Sequence, residues 1–561
     1  MVASVPMTLA QASLIAAPAL PAIAAATIAA APPAGWFTPT IEVGARSSRW
    51  AVQAASVAFV AAIVVAVVVI MNGPFSAVAK TGHGDLVIGL EASQVTVVLG
   101  LLTTGVGLVV MSFASRNLQG DLRGRRFFVL ASLLTAATTS VAFTATLGLL
   151  CLSWIMAGVA LVALVAHRAA WGPAPRSSRR TRRSFQVGDA ALLAATALTI
   201  GSVGEIDLRS PAVAAEKLAH ASIPVLGGNV LLAVAVLLAV ASISRSAIVP
   251  LHGWLPPTIA APTPVSALLH AGVVNGAGVL LVRLAPMFGS SIWATHLAFT
   301  AGAATAFYAT TVKLVRSDVK GNLAWSTAAQ MGFMTVQVAI GAFSAALLHV
   351  VGHGMYKAAL FLGAGNAVTA HHRHRQRPAP FAVARSVRMG VALVVPAAAL
   401  WVAYRVIQPE LPTPAAILVT VFAWATAARA AFGWLRWAPF RPVPAVATAT
   451  LGATAGLFAY IGGLTAVDRF VAPALPHDVP HTVSSALLVA TLVVVALVVG
   501  VLWVAPGERM SKVRNWAYAL ALTSAPVVAP LTTRGSSTGV APVPESRHVG
   551  TVEPAQSAQP M

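Results

Sequence analysis

His349, His353 and Lys357 recur at intervals of four in HVVGHGMYKAALFLGAG, residues 349–365. That spacing lines them along one helical face, one above another. Histidine changes charge near neutral pH without any help from its surroundings. Lys357 has about ten apolar neighbours on either side, too many for its ammonium to snorkel easily to water. A lysine desolvated in this way can release its proton near neutrality. Together the three have the chemistry of a proton ladder. The structural alternative is a pair of packed histidines with a lysine held by a helix C-terminus. The cost of an ionisable group inside a span, about 2.5–3.5 kcal/mol or more, favours the ladder.

A second polar cluster lies upstream, in SISRSAIVPLHGWLPPTIAAPTPVSALLHAGVVNGAGVLLVRLA, Ser242 to Ala285. It sits amid apolar spans yet carries Arg245, His252, His270 and Asn275. Pro250, Pro256, Pro257, Pro262 and Pro264 interrupt it. Proline removes a backbone donor and breaks helices. Irregular backbone at membrane depth survives only where protein buries it or a wet cavity receives it. The pattern predicts a broken transmembrane helix with polar groups turned inward, opened at Pro262 and Pro264. Between the clusters, Asp318 and Lys320 mark a cytoplasmic mouth, with helix capping as the plainer role for Asp318. Ser326, Thr327 and Gln330 then face the interior of a weakly apolar span.

These residues need a membrane to sit in, and the composition supplies one. The chain has 561 residues, 58% hydrophobic and 9% charged, which excludes an ordinary soluble protein and fits a polytopic membrane protein. The net charge of +21 invites a nucleic-acid reading. The arginines, however, sit in short loops between apolar spans, where the positive-inside rule collects them, so no nucleic-acid partner is expected. The lone Cys151 excludes an intrachain disulfide and falls in an apolar run, as a packing residue would. No nucleotide-binding glycine loop, zinc-ligand spacing or large soluble domain is visible, so neither cofactor nor metal is expected.

A spanning helix needs about 20 mostly apolar residues, and about fifteen such stretches fall between residues 9 and 504, with a sixteenth near 515–531 in doubt. The fold expected is an all-α polytopic bundle of about 14–16 transmembrane helices in a lipid bilayer. Four regions follow: 1–92, N-terminal helices and an external loop; 93–370, the translocating core; 371–531, C-terminal helices; 532–561, a Pro/Ser/Gly/Thr-rich tail expected to be disordered. The stretch Met7–Pro32 fits either a first span or a signal peptide, and the lack of a basic n-region favours the span. Basic loops at 116–126, 168–183, 371–388, 436–441 and 509–514 all land on one side, and the acidic loops on the other. That parity places the N-terminus outside and the C-terminus in the cytoplasm of a cell inner (plasma) membrane protein.

At this point the motifs become recognisable. PLHGWLPPTIAAPTPVSALLHAG, LAWSTAAQMGFM and HVVGHGMYKAALFLGAG resemble the antiporter-like membrane subunits of respiratory complex I and of multisubunit cation/proton antiporters. The resemblance is strong over 228–368 and weaker in the helices before it. It implies a bundle of about fourteen helices with inverted five-helix repeats, two broken helices and a polar axis at mid-membrane. Within that superfamily, HAGVVNGAGVLLVRLAP, GAFSAALLHVVGHGMYKAALFL and the arginine-rich RRTRRSFQVGD after LSWIMAGVALVALVAH resemble the DabB family. That family forms the membrane subunit of an energy-coupled inorganic carbon pump. The resemblance implies a partner, DabA, a large cytoplasmic protein similar to a zinc β-carbonic anhydrase. It also implies that H+ or Na+ flow through the membrane subunit drives hydration of CO2 to bicarbonate in that partner. A complex I or Mrp-type antiporter subunit is the alternative within the superfamily.

Departures from the complex I pattern sharpen the choice. Those subunits carry a glutamate after the tryptophan of the fifth helix, whereas Ile155 follows Trp154 here. The lysine they pair with it is Arg245 here, and arginine does not deprotonate in proteins. No second acidic-lysine broken helix follows Val368. Carried over residue by residue, the resemblance implies Lys357 as the switching lysine, with His349 and His353 as relays. His270 then joins the broken helix to them, and Arg245 is a fixed charge acting on Lys357 by like-charge repulsion. Two other classes fit less well. A haem carrier using His270, His349 or His353 leaves Lys357 and the prolines without a role. A purely structural anchor needs no buried charge.

Overall fold

The computed structural model describes residues 7–30, 41–80, 87–167, 173–222, 229–316, 318–366, 383–407, 414–437, 441–475 and 483–493, then Asn515, Ala519 and Leu522. All fall within one folded unit, Met1–Ala525. The tail from 532, the loop centred on 371–382, the basic stretch 509–514 and most of the doubtful sixteenth span lie outside the described residues.

In lipid every backbone polar group must be satisfied within its own segment, and long apolar runs meet that demand as helices. The chain accordingly folds as α1 (Met7–Ala30), α2 (Ile41–Asn72), α3 (Gln94–Asn117), α4 (Gly124–Phe143), α5 (Leu147–Val165) and α6 (Pro173–Val203). Then come α7 (Pro211–Ala219), α8 (Val230–Arg245), α9 (Thr263–Ala271), α10 (Gly276–Arg283), α11 (Ala285–Gly289) and α12 (Ile292–Leu314). The series ends with α13 (Val319–Ala339), α14 (Phe343–Leu362), α15 (Arg385–Ile407), α16 (Pro414–Trp437) and α17 (Pro442–Val471). Among the described residues, eleven spans are long and apolar enough to cross a membrane. The stretches expected near 228–249, 293–315 and 321–340 fold as α8, α12 and α13. Of these, α8 has 16 residues, while α12 and α13 are long enough but too polar to count among the eleven.

Three local features differ from the expectation. The arginine-rich 168–183 segment is not all loop: from Pro173 it forms the first turns of α6, with Arg176, Arg179, Arg180, Arg182 and Arg183 exposed. Arginine is a good helix former, so a transmembrane helix can run on into water through it. The external loop before α3 contains an antiparallel hairpin, β1 (Phe75–Lys80) with β2 (Val87–Ala92). Helix α1 is packed against α2 and α4, and Arg125 donates to the Ile28 and Ala29 carbonyls at 3.0 Å each.

Hydrogen bonds join neighbouring loops at each end of the helices. At one end Ala145 N–H donates to Gly89 O and Leu208 N–H to Ala145 O, both at 2.8 Å, joining the hairpin to loops that carry Glu205 and Asp207. At the other end Arg123 donates to His167 O at 3.0 Å, and Ser184 donates to Leu251 O at 3.2 Å. The His167 ring lies 3.0 Å from the Asp121 carboxylate. Burial lowers the proton affinity of His167 below its ordinary value, and Asp121 only partly restores it. The contact is therefore a neutral imidazole donating to a carboxylate.

Candidate functional site

Helix α14 presents the ladder as its spacing predicts. Lys357 is buried, and its Nζ donates to Ser326 Oγ at 2.6 Å and to Leu323 O at 3.1 Å, both on α13. Both acceptors are neutral, and none of the described ion pairs includes Lys357. Its charge is thus held by dipoles alone, which binds the ammonium without fixing it there. Thr327 is also buried and donates to Leu323 O at 3.0 Å. Gln330, expected to face the interior, is exposed.

One turn up α14, the His353 ring lies 5.9 Å from that of His349, centroid to centroid. His349 Nδ1 sits 2.8 Å from Gln337 Oε1, so the ring carries its proton on Nδ1 and offers Nε2 as the acceptor. His270 is fully enclosed and stacks on Phe361 at 4.2 Å, with 12° between the rings. Helix α9 packs along α14, bringing His270 beside the ladder. His270 Nδ1 and His353 Nε2 have no hydrogen-bond partner among the described residues. Buried unpaired ring nitrogens are costly, and a histidine nitrogen is able to accept or donate a proton.

The helix break lies elsewhere than expected. Pro262 is the N-cap of α9 and Pro264 lies in its first turn, so these prolines start a helix and do not open one. The interruption comes at Gly272, with φ −112° and ψ −80°, followed by a single 3-10 turn, Val273–Asn275, before α10. Asn275 Nδ2 bridges the break by donating to Ala271 O at 2.8 Å.

Arg245 ends α8 and is buried against α5 and α6. Its Nη2 contacts Asp189 Oδ1 at 2.5 Å and Trp154 O at 3.2 Å. The guanidinium also lies over the Trp154 and Phe185 rings, 4.7 and 4.2 Å from their centroids. A side chain at residue 158 would put its Cβ 2.7 Å from Arg245 Nη1, so Gly158 leaves the room the guanidinium occupies. Asp189 offsets the charge that was expected to repel Lys357. Arg245 is one half of an ion pair, which weakens its long-range field.

At the mouth, Asp318 caps α13, accepting from Gly321 N at 2.6 Å and pairing with Arg316 Nη2 at 2.5 Å. Lys320 Nζ donates to Ala261 O at 3.3 Å, fastening α13 to the chain that leads into α9. Both contacts are structural in form.

The sequence reading missed three groups. Asp189 is an acid within the α6 span, and an ionisable residue there is itself a signal. Glu91 pairs with Arg283 at 2.6 Å, both buried, and Arg283 also donates to Val141 O at 2.8 Å and Thr144 O at 2.5 Å. This ties the hairpin to the end of the broken helix. Gln337, which holds His349, has no local signature.

Comparison with known proteins places this geometry. Residues 145–394, from the start of α5 into α15, match the family described as NADH:quinone oxidoreductase/Mrp antiporter, TM. This segment is similar to the antiporter-like membrane subunits that the family describes. It contains Asp189, Arg245, His270, His349, His353 and Lys357. The chain is 32% identical over 357 residues to the probable inorganic carbon transporter subunit DabB1 of Halothiobacillus neapolitanus, covering 61% of this chain and 64% of that protein. It is 35% identical over 266 residues to the probable subunit DabB of Bacillus subtilis, covering 47% and 51%. It is also 32% identical to the chloroplastic NAD(P)H-quinone oxidoreductase subunit 5 of Zea mays, covering 51% and 38%. The match thus spans less than two thirds of each of these relatives. Among solved structures, the Mrp complex from Dietzia sp. DQ12-45-1b shares the fold at a TM-score of 0.57 and 21% identity, covering 92% of this chain and 60% of that one.

Proposed function

We propose that this chain is the ion-translocating membrane subunit of an inorganic carbon uptake pump. Flow of H+ or Na+ through its ladder would be coupled to a DabA-like, zinc-binding cytoplasmic partner that hydrates CO2 to bicarbonate. The observation that carries the reading is Lys357, buried on neutral acceptors within an antiporter-like segment whose curated relatives include named inorganic carbon transporter subunits. In this scheme Lys357 takes and releases the ion's charge, His353 and His349 relay it, and His270 links the relay to the helix break. Pro262 and Pro264 fix where that helix begins. Asp318 and Lys320 brace the mouth. The basic loop ends would face the cytoplasm of an inner (plasma) membrane protein, with the N-terminus outside.

A respiratory or Mrp-type subunit is the second reading, favoured by the likeness to the plastid quinone oxidoreductase subunit. Arg245 weighs against it, because a guanidinium cannot pass a proton by titrating. The deciding experiment is uptake of labelled inorganic carbon in a host lacking carbonic anhydrase. The chain is expressed with and without its soluble partner, and with a protonophore or a sodium ionophore. Uptake that needs both proteins and one gradient supports the pump and names the ion. No uptake with the partner present and bound moves the assignment to the second reading.

A further inference from the structure

A partly open cavity of about 50 Å³ lies against the helix break, bordered by α3, α4, α5, α8, α10, α14 and the backbone around Gly272. Its walls are almost wholly apolar, with Leu99, Val141, Val279 and Val350 among them. Five residues with polar side-chain atoms border it, Thr103, Thr138, Trp154, Arg245 and Asn275, and the Thr103 and Thr138 hydroxyls donate to carbonyls of their own helices. Asn275 Nδ2 is committed to the Ala271 carbonyl, so its Oδ1 must turn the other way, and that oxygen has no partner among the described residues. The cavity also reaches α14, the helix that carries His349, His353 and Lys357, through Val350.

The space exceeds the roughly 10–15 Å³ that one water requires, but polarity decides what fills a cavity, and apolar cavities stay dry and take apolar gases. An ion fits badly. One amide oxygen cannot replace a hydration shell, and desolvating an ion costs several kcal/mol. Arg245 already has its carboxylate in Asp189, so an anion would compete with an ion pair made at 2.5 Å. A small linear molecule without net charge fits better, if its carbon is electron-poor and its two ends accept weak hydrogen bonds. The Asn275 oxygen suits the carbon and the Arg245 edge suits a terminal oxygen.

We infer that this cavity is a binding site for molecular CO2 within the membrane subunit, against the helix that carries the residues proposed to drive its capture. The inference rests on the proposed inorganic carbon function for the identity of the gas. The break contributes to the site, since Gly272, Val273, Asn275 and Gly276 all line it.

The test pairs a gas probe with narrowed cavities. The chain with its partner is pressurised with xenon and its structure determined, beside Ala157→Val and Val279→Leu, which add methyl or methylene groups to the wall. Xenon density between Asn275 and Val350, lost in both variants, is the expected result. A several-fold rise in the CO2 concentration giving half-maximal uptake is expected with it, with a smaller effect on the maximal rate. Ordered water in the cavity in place of xenon overturns the proposal. So does an unchanged half-saturation in both variants. If wild-type uptake is absent although the partner is bound, the carbon function fails, and the CO2 assignment falls with it. If uptake is present but xenon is not, only the cavity proposal fails.

Discussion

Substituting Asp189→Asn removes one charge and no heavy-atom volume. The partner left behind is the Arg245 guanidinium, whose side chain is 3% exposed and sits 2.5 Å from the carboxylate. Removing one member of a buried pair costs about 3–5 kcal/mol, because the surviving charge remains desolvated. Asp189 keeps 19% of its side-chain exposure, so water can partly reach the site and the lower end, about 3 kcal/mol, applies. Replacing both members by apolar groups of similar size is often neutral, so Asp189→Leu with Arg245→Met should recover most of the loss. The assay is unfolding of the purified chain in mixed micelles by increasing denaturing detergent, for the wild type, each single variant and the double. The reasoning is refuted if Asp189→Asn is as stable as the wild type. It is equally refuted if the double variant is no better than the singles, for then the pair has no coupling.

Glu91→Gln should also destabilise, by about 3 kcal/mol, because it strands Arg283 under the hairpin, whereas Arg209→Ala, which breaks the exposed pair with Asp207, should cost under about 1 kcal/mol in the same unfolding assay. Ser326→Ala removes a hydrogen bond to a charged group, a loss of about 1.5–3 kcal/mol in the hold on the Lys357 ammonium. It should slow ion-dependent uptake where Ser326→Thr does not. Stability should depend on His167. Its folded form binds a proton less readily than the unfolded chain, so its contribution is full above the unfolded value of about 6.5 and is lost as pH falls through the lower folded value. Unfolding measured from pH 7 to pH 5 should show that loss, and His167→Gln should flatten it.

That His349, His353 and Lys357 succeed one another along α14 was legible because the order is local: a spacing of four is a property of one helix, whatever packs against it. Partners were not legible, because they come from other helices. Nothing in RRTRRSFQVGD says that its aspartate will meet an arginine 56 residues later, although an acid inside a span was reason enough to look. The prolines were read for one of their two meanings. Proline breaks a helix from within but begins one well, and Pro264 begins α9. The glycines of HAGVVNGAG were the better sign of the interruption. Gln330 turned outward because four residues advance a helix by about 40° beyond a full turn. Ser326, half-buried at the edge of the inner face, still reaches Lys357, and the next position on that row has rotated away.

The proposed ion path is tested most directly at Lys357. Labelled inorganic carbon uptake is measured with the soluble partner present for wild type, Lys357→Ala and Lys357→Arg, at matched amounts of assembled complex and with and without the relevant ionophore. The account predicts that both variants lose ionophore-sensitive uptake, the arginine variant because its charge never leaves. Full ionophore-sensitive uptake by Lys357→Ala would contradict it.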